Sequence, residues 1–296
     1  MPELPEVEHV KRGIEPLIKS AKIEKVTFAK NVINGKNNHR ETIIKGMELD
    51  TFKKLTEGYV IKKVERRSKY IIFYIAYHDE DRILVSHLGM AGGFFVVNNL
   101  DEISTPNYRK HWQVIFDLDN DQKLVYSDIR RFGEIRNIVN FDSYPSLLEI
   151  APEPFEEVAF EHYLECLTLK KYKNKPIKQT ILDHRVIAGA GNIYACEALF
   201  RAGITPDKIT NSLTKQERKS LFYYVREVLE EGIKYGGTSI SDYRHADGKT
   251  GQMQLHLNVY KQKKCKVCGH SIETKVIAGR TVSYTHLRAH ETEADL

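Results

Sequence analysis

The sequence predicts an α+β protein, in which an N-terminal antiparallel β-sandwich with flanking helices precedes a largely helical second half. Short strand-like runs occupy the chain from about residue 22 to 140, separated by turn signals such as HDED and DLDNDQ. Helices do not alternate with these runs, which argues against a parallel α/β sheet. Helical periodicity dominates beyond residue 155.

The first predicted element is an amphipathic helix, with Pro5 tolerated in its first turn and Pro16 expected to end or kink it. Its apolar residues recur at helical spacing, at Val7, Val10, Ile14 and Leu17. The strand-like runs that follow are IEKVTF, KYIIFYIA, RILVSHL, GGFFVV, WQVIFDL, KLVYS and EIRNIV.

A proline-rich stretch separates the two halves. Residues 144–155, YPSLLEIAPEPF, contain three of the nine prolines and are interpreted as an interdomain linker. Farther on, Thr214 and Glu217 form a capping box that opens a long helix, and Gly236 and Gly237 should end it. A Gly-rich loop, GGTSISDYRHADGKTG, leads from this helix toward a cysteine segment.

The composition is typical of an intracellular globular protein. The net charge of +5 is compatible with a polyanionic partner and equally common without one. The four cysteines make no secreted-type framework, and the N-terminus is acidic where a signal peptide would be basic and then apolar. Apolar runs such as YIIFYIAY are strand-sized. We therefore expect a cytoplasmic protein with no membrane association.

The N-terminal octapeptide MPELPEVE contains a candidate nucleophile. Pro2 permits removal of the initiator Met, which leaves a secondary amine beside Glu3 and Glu6. Roughly a few hundred times more of an α-amino group than of a lysine is neutral at pH 7, an upper limit for the more basic proline. A neutral amine can attack a sugar carbon and form an iminium ion while carboxylates move protons. Taken alone, these residues favour the simpler alternative, a Pro-started helix whose acids complement the helix dipole.

Five motifs occur in order along the chain: MPELPEVE, RRSKY, HLGM, DIRRFG and AGAGNIYACE. Together, from residue 1 to about 281, they resemble the bacterial formamidopyrimidine-DNA glycosylases, which excise oxidised purines such as 8-oxoguanine. Each motif is modest alone, but five in order are highly specific. The Pro-Glu-Leu-Pro start favours this branch over the related endonuclease VIII branch, which usually starts with Pro-Glu-Gly-Pro.

The resemblance completes the predicted domain organisation. Residues 1–143 form the catalytic sandwich domain, and residues 144–155 form the linker. Residues 156–251 form a helix–two-turn–helix DNA-binding domain with a lesion loop, in which Thr238, Ser239 and Tyr243 are candidate base contacts. Residues 252–281 form a truncated zinc-ribbon β-hairpin.

The family's catalytic residues fall on matching positions of this chain. The nucleophile corresponds to Pro2, the proton-handling acid to Glu3 and a supporting acid to Glu6. Lys69 in RRSKY corresponds to a catalytic lysine at a strand end, where a point charge suits a phosphate beside the reacting sugar. Arg280 corresponds to an arginine at the ribbon tip that contacts DNA phosphate. Without the resemblance, Lys69 would be interpreted as an ordinary lysine at the edge of a strand.

Five further residues are predicted to bind DNA. An enzyme that acts on a base takes it out of the stack, and Met90, Arg130 and Phe132 correspond to the residues that fill the vacated space. The alternative is that Met90 and Phe132 are core residues at strand ends. Asn192, in the Gly-flanked turn AGAGNIYACE, corresponds to a backbone-gripping residue, and Lys178 belongs to the lysine-rich run LKKYKNKPIK that we expect to extend the DNA track.

The cysteine segment matches only half of the family's metal site. Cys265 and Cys268 match the first Cys-x-x-Cys of the ribbon, which holds one Zn²⁺ per chain in the family. Counting on from Arg280, the second pair should fall at 285 and 288, where Thr285 and Arg288 stand. Two histidines, His286 and His290, lie off the ligand register at unusual finger spacing. We therefore expect this chain to bind no zinc.

The last residues look foreign to the rest of the chain. Residues 282–292, VSYTHLRAHET, resemble the translation of a transposase-type sequencing adapter at all eleven positions. We expect the native reading frame to break off at about Arg280 or Thr281, so that residues 282–296 are a non-native tail. The hairpin is then expected to be poorly ordered, since a structural zinc contributes about 10–16 kcal/mol to such small sites.

The expected function is that of a bifunctional DNA glycosylase and abasic-site lyase in base excision repair. Its partner would be damaged double-stranded DNA, and it would act as a monomer without a small-molecule cofactor. One alternative is an oxidised-pyrimidine glycosylase of the endonuclease VIII branch. The other is a catalytically weak DNA-binding protein, because the zinc ribbon is incomplete.

Overall fold

The computed structural model describes residues 2–239, 250–267 and 269–284. The chain forms two compact units, Met1–Leu148 with Gly236–Gln252 and Glu149–Tyr235 with Met253–Leu296. The segment Gly236–Gln252 thus belongs to the first unit, whereas the sequence assigned all of it except Gln252 to the helical domain of 156–251. Its backbone is tied to the first helix of that unit through Thr238, a contact that helical periodicity does not reveal.

Two four-stranded antiparallel sheets form most of the first unit. Their strands are β1 (Ile23–Phe28), β2 (Val60–Arg67), β3 (Tyr70–Tyr77), β4 (Glu80–His87), β5 (Gly92–Val97), β6 (Trp112–Leu118), β7 (Lys123–Asp128) and β8 (Glu134–Ile138). The sheet orders are β1-β6-β7-β5 and β2-β3-β4-β8. Val26, Phe73 and Phe116 join one apolar core that draws on both sheets, as in a sandwich. The predicted α+β class and antiparallel N-terminal sheets are confirmed.

The first unit also contains short helices around the sheets. They are α1 (Leu4–Ile18), α2 (Lys30–Asn37), α3 (Leu49–Lys54), α4 (Pro106–Lys110) and α5 (Pro145–Leu148). In α1, Val7, Val10 and Ile14 are fully buried as predicted. Leu17 is instead 46% exposed, and Ile18 is buried in its place. The helix continues two residues beyond Pro16, so this proline sits within its last turn.

Strand β2 is absent from the runs that the sequence suggested, although it pairs with β3 along its length. Its sequence VIKKVERR contains five charged residues, and its buried positions, Ile61 and Val64, are three apart. A register irregularity between Ile61 and Lys63 explains this spacing, because a bulge interrupts the two-residue alternation of a strand.

The second unit is mainly helical. Its helices are α6 (Ala159–Thr168), α7 (Ile177–Ile181), α8 (Asn192–Arg201) and α9 (Lys215–Lys234). The predicted capping box is present at the start of α9, where Thr214 and Glu217 exchange side chain-to-backbone hydrogen bonds of 2.8 and 3.1 Å. Gly236 and Gly237 follow the helix with φ of +77° and +74°, a conformation that glycine adopts without strain.

A β-hairpin lies near the end of the described chain, formed by β9 (Glu273–Ile277) and β10 (Arg280–Tyr284). The strand pairing continues three residues past the predicted end of the ribbon at 281. Val282 is 1% exposed and packs with Cys196, Val259 and Ile277. An apolar cluster therefore supports this hairpin. Among the described residues, no helix has the length and apolar character needed to cross a membrane.

Candidate functional site

The start of α1 concentrates buried carboxylates next to the candidate nucleophile. Pro2 is buried and lies two residues before the helix. Glu3 and Glu6 are 3% and 1% exposed, and Glu6 Oε2 accepts a hydrogen bond from the Glu3 backbone N–H at 2.8 Å. Dipole complementarity alone is available to exposed acids, whereas burial of two carboxylates is costly and is more common at functional sites.

The second oxygen of Glu6 holds the start of the predicted lesion loop. Glu6 Oε1 accepts hydrogen bonds from the Thr238 backbone N–H at 2.6 Å and from its hydroxyl at 2.8 Å. A Cβ at Gly237 would lie 2.8 Å from Glu6, so glycine is needed for this approach. Ser239 accepts a hydrogen bond from the Gly251 N–H and brings the loop's ends together. Tyr243 lies outside the described residues.

Lys69 lies in the two-residue turn between β2 and β3. The residue before it, Ser68, is 2% exposed and has a φ of +55°. Arg66 donates a 3.0 Å hydrogen bond to the Ser68 carbonyl and a 2.8 Å bond to Glu8 of α1. Burial would raise the pKa of Glu8, but the hydrogen bonds and charges of Arg66 and Arg12 outweigh it and lower that pKa. The Lys69 turn is thus tied to the helix that follows Pro2.

The predicted space-filling residues are exposed on adjoining turns of the first unit. Met90 is 39% exposed and Phe132 is 61% exposed, which argues against the core alternative. The Arg130 guanidinium lies 5.0 Å from the centre of the Phe132 ring, a cation–π distance. The two turns approach closely, because a Cβ on Gly89 would lie 2.4 Å from the backbone nitrogen of Gly133.

A buried carboxylate shapes the turn that carries Arg130 and Phe132. Asp128 is fully buried and accepts hydrogen bonds from the backbone N–H groups of Arg130 at 3.0 Å and Gly133 at 2.8 Å. Arg131, between them, has a φ of +59°. An Asp that binds backbone N–H groups two and five residues ahead is a local device for such turns. It holds Arg130 and Phe132 at the surface.

In the second unit, Asn192 begins α8 and is hydrogen-bonded at both ends of its amide. Its Oδ1 accepts a 2.7 Å bond from Lys178, and its Nδ2 donates a 2.9 Å bond to the Thr281 carbonyl of β10. Lys178 is fully buried, and its ammonium also lies 3.1 Å from Cys196 Sγ. It therefore differs from the exposed track residue that the lysine-rich run suggested. It braces Asn192, while Arg280 is exposed at the start of β10.

Glu197, the last residue of AGAGNIYACE, has a structural role that the motif itself did not reveal. This carboxylate is fully buried and accepts hydrogen bonds of 2.8–2.9 Å from the backbone N–H groups of Asn258, Val259 and Tyr260. It thereby anchors the segment that leads into the hairpin. A glutamate on the buried face of a helix was the available signal, since such residues are rarely buried without partners.

Only part of the cysteine segment lies within the described residues. Cys265 is 2% exposed, while Cys268, His286 and His290 lie outside the described residues. In the described ranges, no group of three or more His, Cys, Asp or Glu side chains is placed to hold a metal ion. Thr285 and Arg288 offer neither thiolate nor imidazole, so two cysteines alone cannot complete a tetrahedral site.

Comparisons with known proteins agree with this arrangement. Residues 1–135 match the family profile "Formamidopyrimidine-DNA glycosylase N-terminal domain", and residues 150–244 match "Formamidopyrimidine-DNA glycosylase H2TH domain". A formamidopyrimidine-DNA glycosylase of Bacillus licheniformis is 35% identical over 284 residues, which cover 95% of this chain and 96% of that protein.

Solved structures give the same result. The MutM (Fpg) protein from Thermus thermophilus has a TM-score of 0.79 at 34% identity, covering 96% of this chain and 97% of that chain. MutM in complex with DNA containing carbocyclic 8-oxo-G has a TM-score of 0.80 at 33% identity, with the same coverage. A formamidopyrimidine-DNA glycosylase N-terminal domain and an H2TH domain in one chain together define a class of DNA glycosylases. This chain belongs to the formamidopyrimidine-DNA glycosylase family.

Proposed function

We propose that this protein is a bifunctional DNA glycosylase and abasic-site lyase that excises 8-oxoguanine and formamidopyrimidines from duplex DNA. The proposal depends chiefly on the N-terminus, where Pro2 precedes two buried carboxylates, Glu3 and Glu6. The relatives named above are formamidopyrimidine-DNA glycosylases, and one is bound to DNA containing an 8-oxoguanine analogue. Both observations support the purine branch over the oxidised-pyrimidine alternative.

The reaction follows from the chemistry of a secondary amine. After removal of Met1, the Pro2 nitrogen attacks C1′ of the damaged nucleotide, and the bond to the base breaks with its electron pair leaving on the base. Loss of the amine proton and opening of the sugar produce an iminium ion. Removal of a proton from C2′ then expels the 3′ phosphate and nicks the strand. Glu3 is the proposed proton carrier, because it is the acid next to the amine.

Strand binding is assigned to residues on both units. Lys69, Asn192 and Arg280 are proposed to hold phosphates near the lesion, which fixes the duplex without reading its sequence. Met90, Arg130 and Phe132 are proposed to occupy the space that the everted base leaves, at a cost of a few kcal/mol for unstacking. Lys178 is proposed to act on DNA through Asn192, since its ammonium is buried against that amide.

The decisive experiment is incubation with an 8-oxoguanine duplex in the presence of borohydride, which reduces the iminium ion to a stable adduct. We expect one adduct per chain, mapped to Pro2, and none when Met1 is retained. Pro2→Gly is the test variant, and Pro5→Gly, three residues along, is its matched control. An undiminished adduct in Pro2→Gly, mapped to a lysine side chain, would refute the assignment.

The same assay separates the alternatives. A duplex containing an oxidised pyrimidine should be a poorer substrate than the 8-oxoguanine duplex, and the reverse preference would favour the endonuclease VIII branch. Binding without any adduct would favour the catalytically weak DNA-binding protein. A monomeric state and a cytoplasmic location remain predictions, to be tested by sedimentation and by cell fractionation.

A further inference from the structure

We propose that Arg66 is a positioning residue for the reaction, which holds the Lys69 turn in register with helix α1. This inference rests on the proposed function, in which Lys69 binds a phosphate near the nucleotide that Pro2 attacks. Arg66 is the first arginine of RRSKY, and no catalytic role was assigned to it from the sequence. Its contacts connect the two segments that carry the predicted chemistry within the first unit.

The guanidinium of Arg66 joins a carboxylate on α1 to a carbonyl in the turn. Its Nε donates a 2.8 Å hydrogen bond to Glu8 Oε2, and its Nη1 donates a 3.0 Å bond to the Ser68 carbonyl. The Arg66 and Glu8 side chains are 9% and 13% exposed. Glu8 Oε1 accepts a further 2.6 Å bond from Arg12, so the carboxylate is held from both sides.

The turn needs such support because its backbone is strained. Ser68 is the first of two residues between Arg67 and Tyr70, and its φ of +55° is one that hairpin turns usually give to glycine. A non-glycine residue in this region is strained and persists only when its surroundings hold it. The hydrogen bond from Arg66 to the Ser68 carbonyl is one such restraint, one residue before Lys69.

Lysine cannot replace Arg66 in this arrangement. A guanidinium presents donors in a rigid planar fork and can bind two acceptors in different directions, whereas an ammonium is a compact point charge on a flexible stem. Arg66→Lys therefore keeps the net charge and removes the connection. If Lys69 binds a phosphate, its displacement should lower both the reaction rate and the number of phosphates that the protein neutralises.

The test compares Arg66→Lys with Arg82→Lys. Arg82 lies on the same sheet, with a side chain 10% exposed and a 2.6 Å hydrogen bond from Nε to Asn137. It pairs with Ile75, about 17 Å along β3 from the turn. The readouts are the single-turnover rate of borohydride trapping, the salt dependence of binding to the lesion duplex, and the melting temperature.

We expect Arg66→Lys to slow trapping about 10- to 100-fold, the effect of a displacement of about 1 Å. The slope of log affinity against log salt should fall by about 1, as it should in Lys69→Met, although Arg66→Lys changes no charge. Arg82→Lys should change neither the trapping rate nor the salt slope. In the double variant Arg66→Lys with Lys69→Met, trapping should be no slower than in Lys69→Met alone. Both substitutions remove the same contact, the one between Lys69 and a phosphate, so their effects should not add.

An unchanged salt slope in Arg66→Lys, or rate losses that multiply in the double variant, would refute the positioning role. If melting shows that Arg66→Lys does not fold, Glu8→Gln replaces it, because this change keeps the shape and weakens the same connection. Absence of any adduct from the unaltered protein would refute the proposed function itself. A trapping protein in which Arg66→Lys behaves like Arg82→Lys would refute this inference alone.

Discussion

The carboxylate of Glu6 binds Thr238 twice, at 2.6 Å from the backbone N–H and at 2.8 Å from the hydroxyl, across 232 positions of sequence. The same carboxylate accepts the N–H of Glu3 at 2.8 Å. One buried side chain therefore connects the residue after Pro2 to the start of the loop that is predicted to close over the extruded base. This contact lies entirely within the first unit.

Substitutions at the contact between Glu6 and Thr238 should separate its contribution to stability from its effect on the reaction. Thr238→Val should cost about 1 kcal/mol of unfolding free energy, since one hydrogen bond is lost. Glu6→Gln should cost more, because the amide places an N–H donor where the carboxylate accepts, and it should also slow borohydride trapping. Urea denaturation and trapping measure the two effects. Thr214→Val is the control: its loss of a helix cap should cost about 1 kcal/mol without slowing trapping. Equal rates of borohydride trapping in Glu6→Gln and Thr214→Val would contradict the prediction.

Arg130→Ala should weaken discrimination of the base opposite the lesion. An exposed guanidinium above the Phe132 ring is suited to bind the orphaned base through its planar donors, and losing such a contact costs about 1–3 kcal/mol. Nicking of a preformed abasic site should change less. Excision rates opposite cytosine and opposite adenine measure the effect, with Arg109→Ala, a half-buried arginine paired with Asp101, as control. An unchanged preference for cytosine would argue against this role.

Stability in acid should depend on Asp183. Burial would raise its pKa, but hydrogen bonds from Arg185 and Tyr172 outweigh burial and hold the pKa well below its usual value. A lowered folded-state pKa stabilises the protein above the unfolded value of about 3.9, and this contribution is lost as pH falls toward the folded value. Asp183→Asn should therefore cost about 1–3 kcal/mol at pH 7.

The difference in unfolding free energy between Asp183→Asn and the unaltered protein should become smaller below about pH 4. Urea denaturation at a series of pH values measures this difference. Asp101→Asn provides the matched control, because the Asp101 carboxylate is 94% exposed and its ion pair with Arg109 should contribute little. If this difference stays constant down to the lowest pH at which the protein still folds, the charge of Asp183 is not what stabilises the fold.

Metal analysis should find no stoichiometric zinc in the 296-residue chain. The informative variant is Thr285→Cys combined with Arg288→Cys, which restores the second pair and should bind about one zinc per chain. One tightly bound zinc in the unaltered chain would overturn this prediction and revive His286 and His290 as ligands. Resequencing of the source locus tests the related proposal that residues 282–296 are foreign, and an uninterrupted native reading frame would refute it.

Local patterns were sufficient for much of the framework. The runs that became β1, β3 and β5, the helix that follows Pro2 and the capping box of Thr214 with Glu217 all follow from residue types a few positions apart. The charged, bulged strand β2 was missed, because its bulge breaks the alternation that marks a strand. Leu17 was expected on the buried face, but the adjacent Ile18 is buried instead, because periodicity does not distinguish adjacent residues at the edge of a helical face.

By itself, the sequence determined the fold class and the identity of the candidate chemical groups, since five motifs and the N-terminal proline are read directly from residue order. Only the tertiary structure decided which of those groups are bound to one another. It placed Glu6 against Thr238, joined Arg66 to Glu8 and Ser68, and buried Lys178 against Asn192. Hydrogen-bond partners distant in sequence depend on how the elements pack, and periodicity within one element carries no information about that packing.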